Sequence, residues 1–185
     1  MKSSKHIFHH RWFLPICAEM QKQGGGTKFV TILRRLQLSR SVLSKMFLVL
    51  EREHFVKRNL GHGHPMRPEY ILTKKGSRIG ILGIELLNLS MDQEHHRLFQ
   101  SKWAFPTLLV LAKGESRFNE IVYNLGSTTR ALSLELKALE KFGLIERKIV
   151  DSFPPRPIYL LTKAGKEYVE VFSKHDFNEL DQLLI

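Results

Sequence analysis

Two clusters of short hydroxyl and basic side chains are the residues of this chain whose types and spacing best suit the binding of a partner. The first cluster comprises Ser39, Arg40, Ser41, Ser44 and Lys45, and the second comprises Thr128, Thr129, Arg130, Ser133 and Lys137. Spacings of three and four residues bring such side chains to one face of a helix. Near the beginning of a helix, these side chains can donate hydrogen bonds to phosphates and base edges. The alternative for each cluster is a solvated helix face.

Four further basic residues lie where they could support the same chemistry. Lys28 and Arg117 stand at the start of a predicted helix that would cross a phosphate backbone. Arg67 and Arg156 lie among prolines in predicted hairpins, where a guanidinium could reach a minor-groove edge or a phosphate. The alternative for these two arginines is a structural one, in which each stacks on a nearby tyrosine and braces its hairpin.

The elements that would position these residues occur twice, because residues 29–76 align without a gap with residues 118–165. Of the 48 paired positions, 16 are identical. The match is closest at the end, where Tyr70, Leu72, Thr73, Lys74 and Gly76 recur as Tyr159, Leu161, Thr162, Lys163 and Gly165. The spacing of 89 residues is longer than the roughly 20–50 residues of a solenoid repeat. Each copy is therefore predicted to be a small domain, the first over residues 1–89 and the second over 90–185.

Within each copy, the pattern predicts three helices, a β-hairpin and a further helix. In the second copy the predicted helices cover residues 107–113, 117–125 (after a cap at Ser116) and 128–142, and the predicted strands cover 144–150 and 158–161. The first copy repeats this order, although His54 takes the place of Gly143. The sequence predicts a mostly α fold with small β-hairpins, of the α+β class, built as two tandem winged helix-turn-helix domains. Trp12 and Trp103 are expected in the two cores.

The charge of the chain favours a polyanionic partner. The formal net charge is +11 and the isoelectric point is near 9.9, which is typical of proteins that bind nucleic acid or an acidic membrane surface. Residues 1–80 hold 16 Lys and Arg against 4 Asp and Glu, whereas residues 81–185 hold 13 against 14. The first copy is therefore predicted to carry the basic surface.

Several other classes of function have no support in the sequence. No apolar run approaches the roughly 20 residues of a membrane span, and the first residues lack the apolar stretch of a secretory signal. The single cysteine, Cys17, fits a reducing compartment, so a cytoplasmic location is expected. No catalytic or nucleotide-binding motif predicts an enzyme or a cofactor. The nine histidines, among them His62 and His64, lack a spacing typical of metal ligands.

The second copy resembles the HxlR-type family of winged-helix transcription regulators, and the first copy resembles it more weakly. The resemblance is carried by Lys102-Trp103, Arg117-Phe118-Asn-Glu120, Leu132-Ser133, Gly143-Leu-Ile-Glu-Arg147, Pro154-Pro-Arg-Pro-Ile-Tyr159, Leu161-Thr162 and Gly165. It implies DNA binding, with the third helix of each copy in the major groove and the hairpin as a wing. Redox or aldehyde sensing is not implied, because the family's frequent sensor cysteine precedes the Trp and Cys17 follows Trp12. Glu135, at a commonly basic position, is expected to repel the DNA backbone.

Members of that family usually pair as homodimers, so the resemblance implies that this chain is a fused pair with a pseudo-two-fold axis. The residues expected in a shared core are Ile79, Leu82, Leu86, Leu87, Val169 and Phe172. An apolar stripe at residues 177–185 either completes this pseudo-dimer or supports a further homodimer. A monomeric pseudo-dimer is the preferred interpretation, and nothing in the sequence identifies a small-molecule effector.

These observations together predict a sequence-specific regulator of transcription that binds double-stranded DNA. One alternative is a replication initiator or partition protein, which would bind repeated iterons rather than a promoter operator. Another is a winged-helix module in which the neutral second copy binds a protein. The expected partner is double-stranded DNA, and no membrane, metal or cofactor is expected.

Overall fold

The computed structural model describes residues 10–24, 26–59, 69–90, 95–151 and 155–175. The chain divides into two compact units, Met1–Asn88 and Leu89–Ile185. The first unit contains α1 (Phe13–Lys22), β1 (Thr27–Lys28), α2 (Phe29–Arg35), α3 (Arg40–Arg52), β2 (Val56–Asn59), β3 (Glu69–Leu72) and α4 (Lys74–Leu89). The second contains a 3-10 helix (His95–Gln100), α5 (Ala104–Ala112), α6 (Phe118–Leu125), α7 (Thr129–Lys141), β4 (Ile145–Val150), β5 (Arg156–Leu161) and α8 (Lys163–Lys174).

Both units have the order expected of a winged helix-turn-helix, and the predicted α+β class is confirmed. In the first unit the strands form an antiparallel sheet in the order β1-β3-β2, with Val56 opposite Leu72 and Thr27 opposite Tyr70. The sequence did not predict β1, because a strand of two residues is too short to show an alternating pattern.

The second unit has a two-stranded hairpin in which β4 and β5 pair from Ile145 opposite Leu161 to Val150 opposite Arg156. Its counterpart of β1 is a single bridge between Arg117 and Ile158, supported by a 2.9 Å hydrogen bond that the Tyr159 N–H donates to the Ser116 carbonyl oxygen. In both units the start of the second helix is thereby attached to the wing.

The cores lie beneath the third helices. In α3 the residues Leu43, Phe47 and Leu50 are buried, and Phe47 stacks on Tyr70 of the wing with ring centroids 4.0 Å apart. The corresponding residues of α7, Leu132, Leu136 and Leu139, are buried in the second unit. The apolar spacing that predicted these helices is therefore the spacing of the buried face.

The two tryptophans were expected in the cores, but each is only partly buried. Trp12 and Trp103 directly precede α1 and α5 and are half-buried. The Arg11 guanidinium lies 5.1 Å from the Trp12 ring, and the Lys102 ammonium lies 4.5 Å from the Trp103 ring. A cation over the ring face stabilises an aromatic side chain that remains partly exposed to water.

The residues predicted for a shared core differ in burial. Ile79, Leu82, Leu86 and Phe172 are buried, whereas Leu87 and Val169 are half-buried. That the two copies share this core stays a prediction, and the apolar stripe at residues 177–185 lies outside the described residues.

A threonine closes each wing and joins it to the end of the third helix. Thr73 Oγ1 donates a 2.7 Å hydrogen bond to the carbonyl oxygen of His54 and accepts one of 3.1 Å from the Gly76 N–H. The equivalent bonds in the second unit measure 2.6 Å and 3.1 Å and involve Thr162, Gly143 and Gly165. The identical residues at the end of the repeat are therefore the residues that cap α4 and α8.

The turns before and after the third helix have the same backbone conformation in both units, although the residues in them differ. Gly126 and Gly143 have φ of +59° and +67°, and the equivalent positions in the first unit hold Gln37 and His54 with φ of +50° and +58°. Left-handed backbone is strained for residues that carry a Cβ atom. The residues at these turns therefore differ in local backbone strain, and the fold is the same in both units.

We expect Gly126→Ala and Gly143→Ala each to lower the free energy of unfolding by about 1–2 kcal/mol, because an added Cβ would meet nothing within 4 Å and only backbone strain changes. Gln37→Gly and His54→Gly should instead change it by less than about 1 kcal/mol, since relief of strain is offset by a more flexible unfolded chain. Urea denaturation of the four variants measures these differences. Glycine-to-alanine variants as stable as the parent chain would contradict this account.

Candidate nucleic-acid interface

The third helix of the first unit presents most of the first predicted cluster to solvent. Ser39 begins α3, where its Oγ accepts a 3.3 Å hydrogen bond from the Val42 N–H. Arg40, Ser41, Ser44 and Lys45 are all exposed on the side of α3 away from the core. Ser39 Oγ also lies 3.1 Å from Ser41 Oγ, and either hydroxyl can be the donor of that hydrogen bond.

The third helix of the second unit has the same arrangement. Thr128 begins α7, and its Oγ1 accepts a 3.2 Å hydrogen bond from the Ala131 N–H. Thr129, Arg130 and Lys137 are exposed, whereas Ser133 is half-buried. The structure therefore brings the residues of each predicted cluster together on one helix face.

Glu135 does not lie on the outward face of α7, where it was predicted. Its side chain is half-buried and accepts a hydrogen bond from Ser101 Oγ, in the segment before α5. Burial, which is only partly opposed by this hydrogen bond, raises the pKa of the Glu135 carboxyl above its ordinary value. The expectation that Glu135 repels a DNA backbone is wrong, because the carboxyl faces the interior of its unit.

The internal repeat contained a signal for this placement. The residue of the first copy that aligns with Glu135 is Met46, which is buried under α3. Equivalent positions of two homologous helices point the same way, so the alignment indicates an inward-facing carboxyl. Comparison with a commonly basic position in the family was the less reliable guide.

Lys28 and Arg117 occupy equivalent places, each directly before the second helix of its unit. Both side chains are exposed. The Arg117 guanidinium lies 3.6 Å from the Glu120 carboxylate, and the Arg117 N–H donates a 3.0 Å hydrogen bond to the same side chain. Both side chains of this pair remain accessible to water, so the ion pair is weak and leaves Arg117 able to bind a phosphate.

Arg156 lies at the start of β5 and is exposed. It lines an open cavity of about 450 Å³ together with Arg117, Phe118, Asn119, Glu120 and Pro157. Arg117, directly before α6, and Arg156, on the wing, thus lie around one depression. Arg67, the counterpart of Arg156 in the first copy, lies outside the described residues.

The residue that braces the first wing is Arg58, which was not predicted for this role. Its guanidinium donates a 3.3 Å hydrogen bond to the Tyr70 hydroxyl, lies 5.6 Å from the Tyr70 ring, and lies 3.6 Å from the Glu51 carboxylate of α3. Glu51 and Arg58 recur in the second copy as Glu140 and Arg147, and this recurrence is the sequence signal that indicates a structural role for the pair.

The described residues offer little to metal or redox chemistry. Across residues 10–24, 26–59, 69–90, 95–151 and 155–175, no three His, Cys, Asp or Glu side chains lie close enough to hold a metal ion. His62 and His64 lie outside these ranges. Cys17 is fully buried in α1, and burial raises the pKa of its thiol far above the ordinary value. A buried protonated thiol reacts slowly with oxidants.

Among the helices that the structure describes, none combines the length and the apolar character that crossing a bilayer requires.

Sequence comparison places both units in one family. The HxlR-like helix-turn-helix family matches residues 7–96 and again residues 98–179. The chain belongs to the HxlR-like helix-turn-helix family. The predicted resemblance is confirmed, and the two successive matches confirm that the chain is a tandem of HxlR-like domains.

The relatives of this HxlR-like chain align with it over a segment about as long as one of its two domains. An uncharacterized HTH-type transcriptional regulator from Synechocystis sp. is 38% identical over 71 residues, which are 38% of this chain and 53% of the relative. One from Methanothermobacter thermautotrophicus is also 38% identical over 71 residues, or 54% of its length. The matches therefore span about half the length of these curated relatives.

Among solved structures, the reduced form of the transcriptional regulator YodB from B. subtilis is 28% identical to this chain. The match covers 46% of this chain and 87% of YodB, with a TM-score of 0.41.

The inward position of Glu135 predicts a pH-dependent stability. A raised carboxyl pKa means that the folded chain binds this proton more readily than the unfolded chain. Folding is therefore favoured most below the ordinary Glu pKa and loses stability as the pH rises through the raised value. We expect Glu135→Gln to stabilise the chain at pH 8, and this gain should disappear at acidic pH.

Denaturant midpoints of Glu135→Gln and the parent chain between pH 4 and pH 8 test this expectation. Glu167→Gln, which removes an exposed carboxylate from α8 of the same unit, is the control and should show no such pH-dependent gain. A Glu135→Gln difference that is constant with pH, or that grows toward acidic pH, would contradict the assignment.

Proposed function

We propose that this chain is a sequence-specific regulator of transcription that binds double-stranded DNA with the third helix of each copy in the major groove. The observation that carries the proposal is the pair of capped helices, α3 and α7, each with a buried apolar face and an outward face of basic and hydroxyl side chains. In this motif the third helix enters the major groove, and residues near its beginning contact bases.

The neighbouring elements support the same orientation. Lys28 and Arg117 directly precede α2 and α6, and the helix before a recognition helix crosses the phosphate backbone. Arg156 lies on the wing of the second copy, close to Arg117. Phosphate contacts from these residues would set the position of the third helix, and base contacts from that helix would provide specificity.

The charge of the chain supports a DNA partner. A net charge of +11 attracts a polyanion over distances longer than a contact, and contacts with phosphates release condensed counterions. The proposal includes no catalytic role. It implies a cytoplasmic location, where the chain would meet its DNA. The pseudo-two-fold arrangement and the monomeric state remain predictions.

A replication initiator or partition protein would use the same contacts, and the kind of site that is bound distinguishes it. Selection of bound duplexes from genomic fragments should recover promoter operators under our proposal, whereas repeated iterons would favour the alternative. The protein-binding alternative requires the exposed face around Thr129 and Arg130 to bind another chain instead of DNA.

Substitutions on the third helices test the proposal directly. Arg40→Ala or Lys45→Ala should weaken binding to a selected duplex by about 1–3 kcal/mol if the side chain makes a good base contact. Arg130→Ala and Lys137→Ala should cost less, because residues 81–185 carry no net positive charge to attract the duplex. Because Glu135 faces inward, it does not repel the duplex. The difference in affinity loss between the α3 and α7 variants should therefore be smaller than it would be with a carboxylate on the outward face of α7.

Gel-shift titrations at near-physiological salt measure these four affinities. An Arg130→Ala variant that loses more affinity than Arg40→Ala would reject the asymmetry. Unchanged affinity in both variants would count against DNA recognition by these helices.

The salt dependence of binding separates phosphate contacts from base contacts. Lys28→Ala should weaken binding to every duplex and reduce the slope of log K against log salt by about one. Lys22→Ala, which removes an exposed lysine near the end of α1, is the matched control and should leave the slope unchanged. Equal slopes for Lys28→Ala and the parent chain would show that Lys28 does not contact a phosphate.

A further inference from the structure

Each third helix exposes a leucine on the face that carries its basic and hydroxyl residues. Leu48 of α3 is 66% exposed and Leu134 of α7 is 62% exposed. A single exposed leucine is common on protein surfaces and needs no explanation by itself. These two are distinctive because they lie among the residues proposed to enter the major groove, within one turn of Lys45 and Lys137 respectively.

The internal repeat shows that the leucine and the lysine have exchanged places between the two helices. Helices α3 and α7 begin at equivalent residues and have the same length. Lys45 aligns with Leu134, and Leu48 aligns with Lys137. The sixth and ninth residues are thus Lys and Leu in α3, and Leu and Lys in α7.

The chemistry of the major groove supplies an apolar partner for such a leucine. Thymine presents its C5-methyl group there, and apolar side chains contact it, whereas Lys donates to guanine O6 and N7. The neighbouring cations, Arg40 and Lys45 on α3 and Arg130 and Lys137 on α7, favour a polyanionic occupant of this face over an apolar protein surface.

We propose that Leu48 and Leu134 each contact a thymine methyl group, at positions offset by about one base pair between the two half-sites. This inference rests on the proposed function. Three residues of helix rise about 4.5 Å, which is comparable with the 3.4 Å between successive base pairs. The thymine and guanine preferences should therefore be exchanged between the half-sites, so the operator is an imperfect inverted repeat.

The test begins with the full chain and a duplex selected from a randomised library at near-physiological salt. Each thymine of that duplex is then replaced singly by 2′-deoxyuridine, which removes only the methyl group. Loss of one buried methyl should weaken binding about three- to fivefold. We expect one sensitive thymine in each half-site. Leu48→Ala should remove the sensitivity in one half-site and Leu134→Ala in the other.

Two further variants sharpen the test. Ile81→Ala truncates an exposed apolar side chain of α4 and should leave both sensitive thymines unchanged. The double variant Lys45→Leu with Leu48→Lys gives α3 the order of α7. It should move the sensitive thymine of the first half-site by about one base pair.

The outcomes distinguish this inference from the proposed function. Selective binding that depends on Arg40 and Arg130 but shows no sensitivity to deoxyuridine, or a sensitivity that both leucine variants retain, overturns the inference and leaves the proposed function standing. Absence of selective binding to any duplex overturns both. Loss of one thymine sensitivity per leucine, with the predicted shift in the double variant, supports the inference.

Discussion

The arrangement of each unit depends on the threonine that follows its wing. Thr73 connects three elements through one residue. Its hydroxyl donates to the carbonyl oxygen of His54, two residues after the end of α3, and accepts from the Gly76 N–H in the first turn of α4. Its backbone N–H donates to the Phe55 carbonyl oxygen. An added Cβ at Gly76 would lie 2.0 Å from that carbonyl oxygen. Glycine is therefore required three residues after the threonine, and the second unit meets the same requirement at Gly165, 2.0 Å from the Leu144 carbonyl oxygen.

This connection has a direct consequence for the proposed DNA interface. A recognition helix and a wing can contact one duplex together only if their relative orientation is constant. The threonine ties the end of the third helix to the last strand, and Arg58 adds a second tie between α3 and the first wing through Glu51 and Tyr70. With the framework held in this way, the outward residues of the two copies have been able to diverge, as the exchange of Lys and Leu shows.

Much of the fold could be predicted from the sequence, because the repeat and the apolar spacing report directly on buried faces. Helix α7 was predicted within one residue at each end. Strand β1 and the role of Arg58 could not be predicted, since a two-residue strand has no period and an arginine in a hairpin has several partners within reach. The prediction for Glu135 was wrong because a carboxylate on a helix normally faces water, whereas its aligned counterpart Met46 is buried. For the interface, the sequence predicted which residues share a helix face. The ion pair between Arg117 and Glu120 was found only in the structure.

The proposed function requires both copies of this HxlR-like chain to contact DNA through their third helices. A hydroxyl-radical footprint of the full chain on its selected duplex, recorded at two salt concentrations, tests it most directly. We predict two protected tracts separated by about one helical turn, or roughly 34–36 Å, with protection by both weakening as the salt concentration rises. A single protected tract would contradict the claim that both copies bind, and protection that is unaffected by salt would contradict the phosphate contacts on which the account relies.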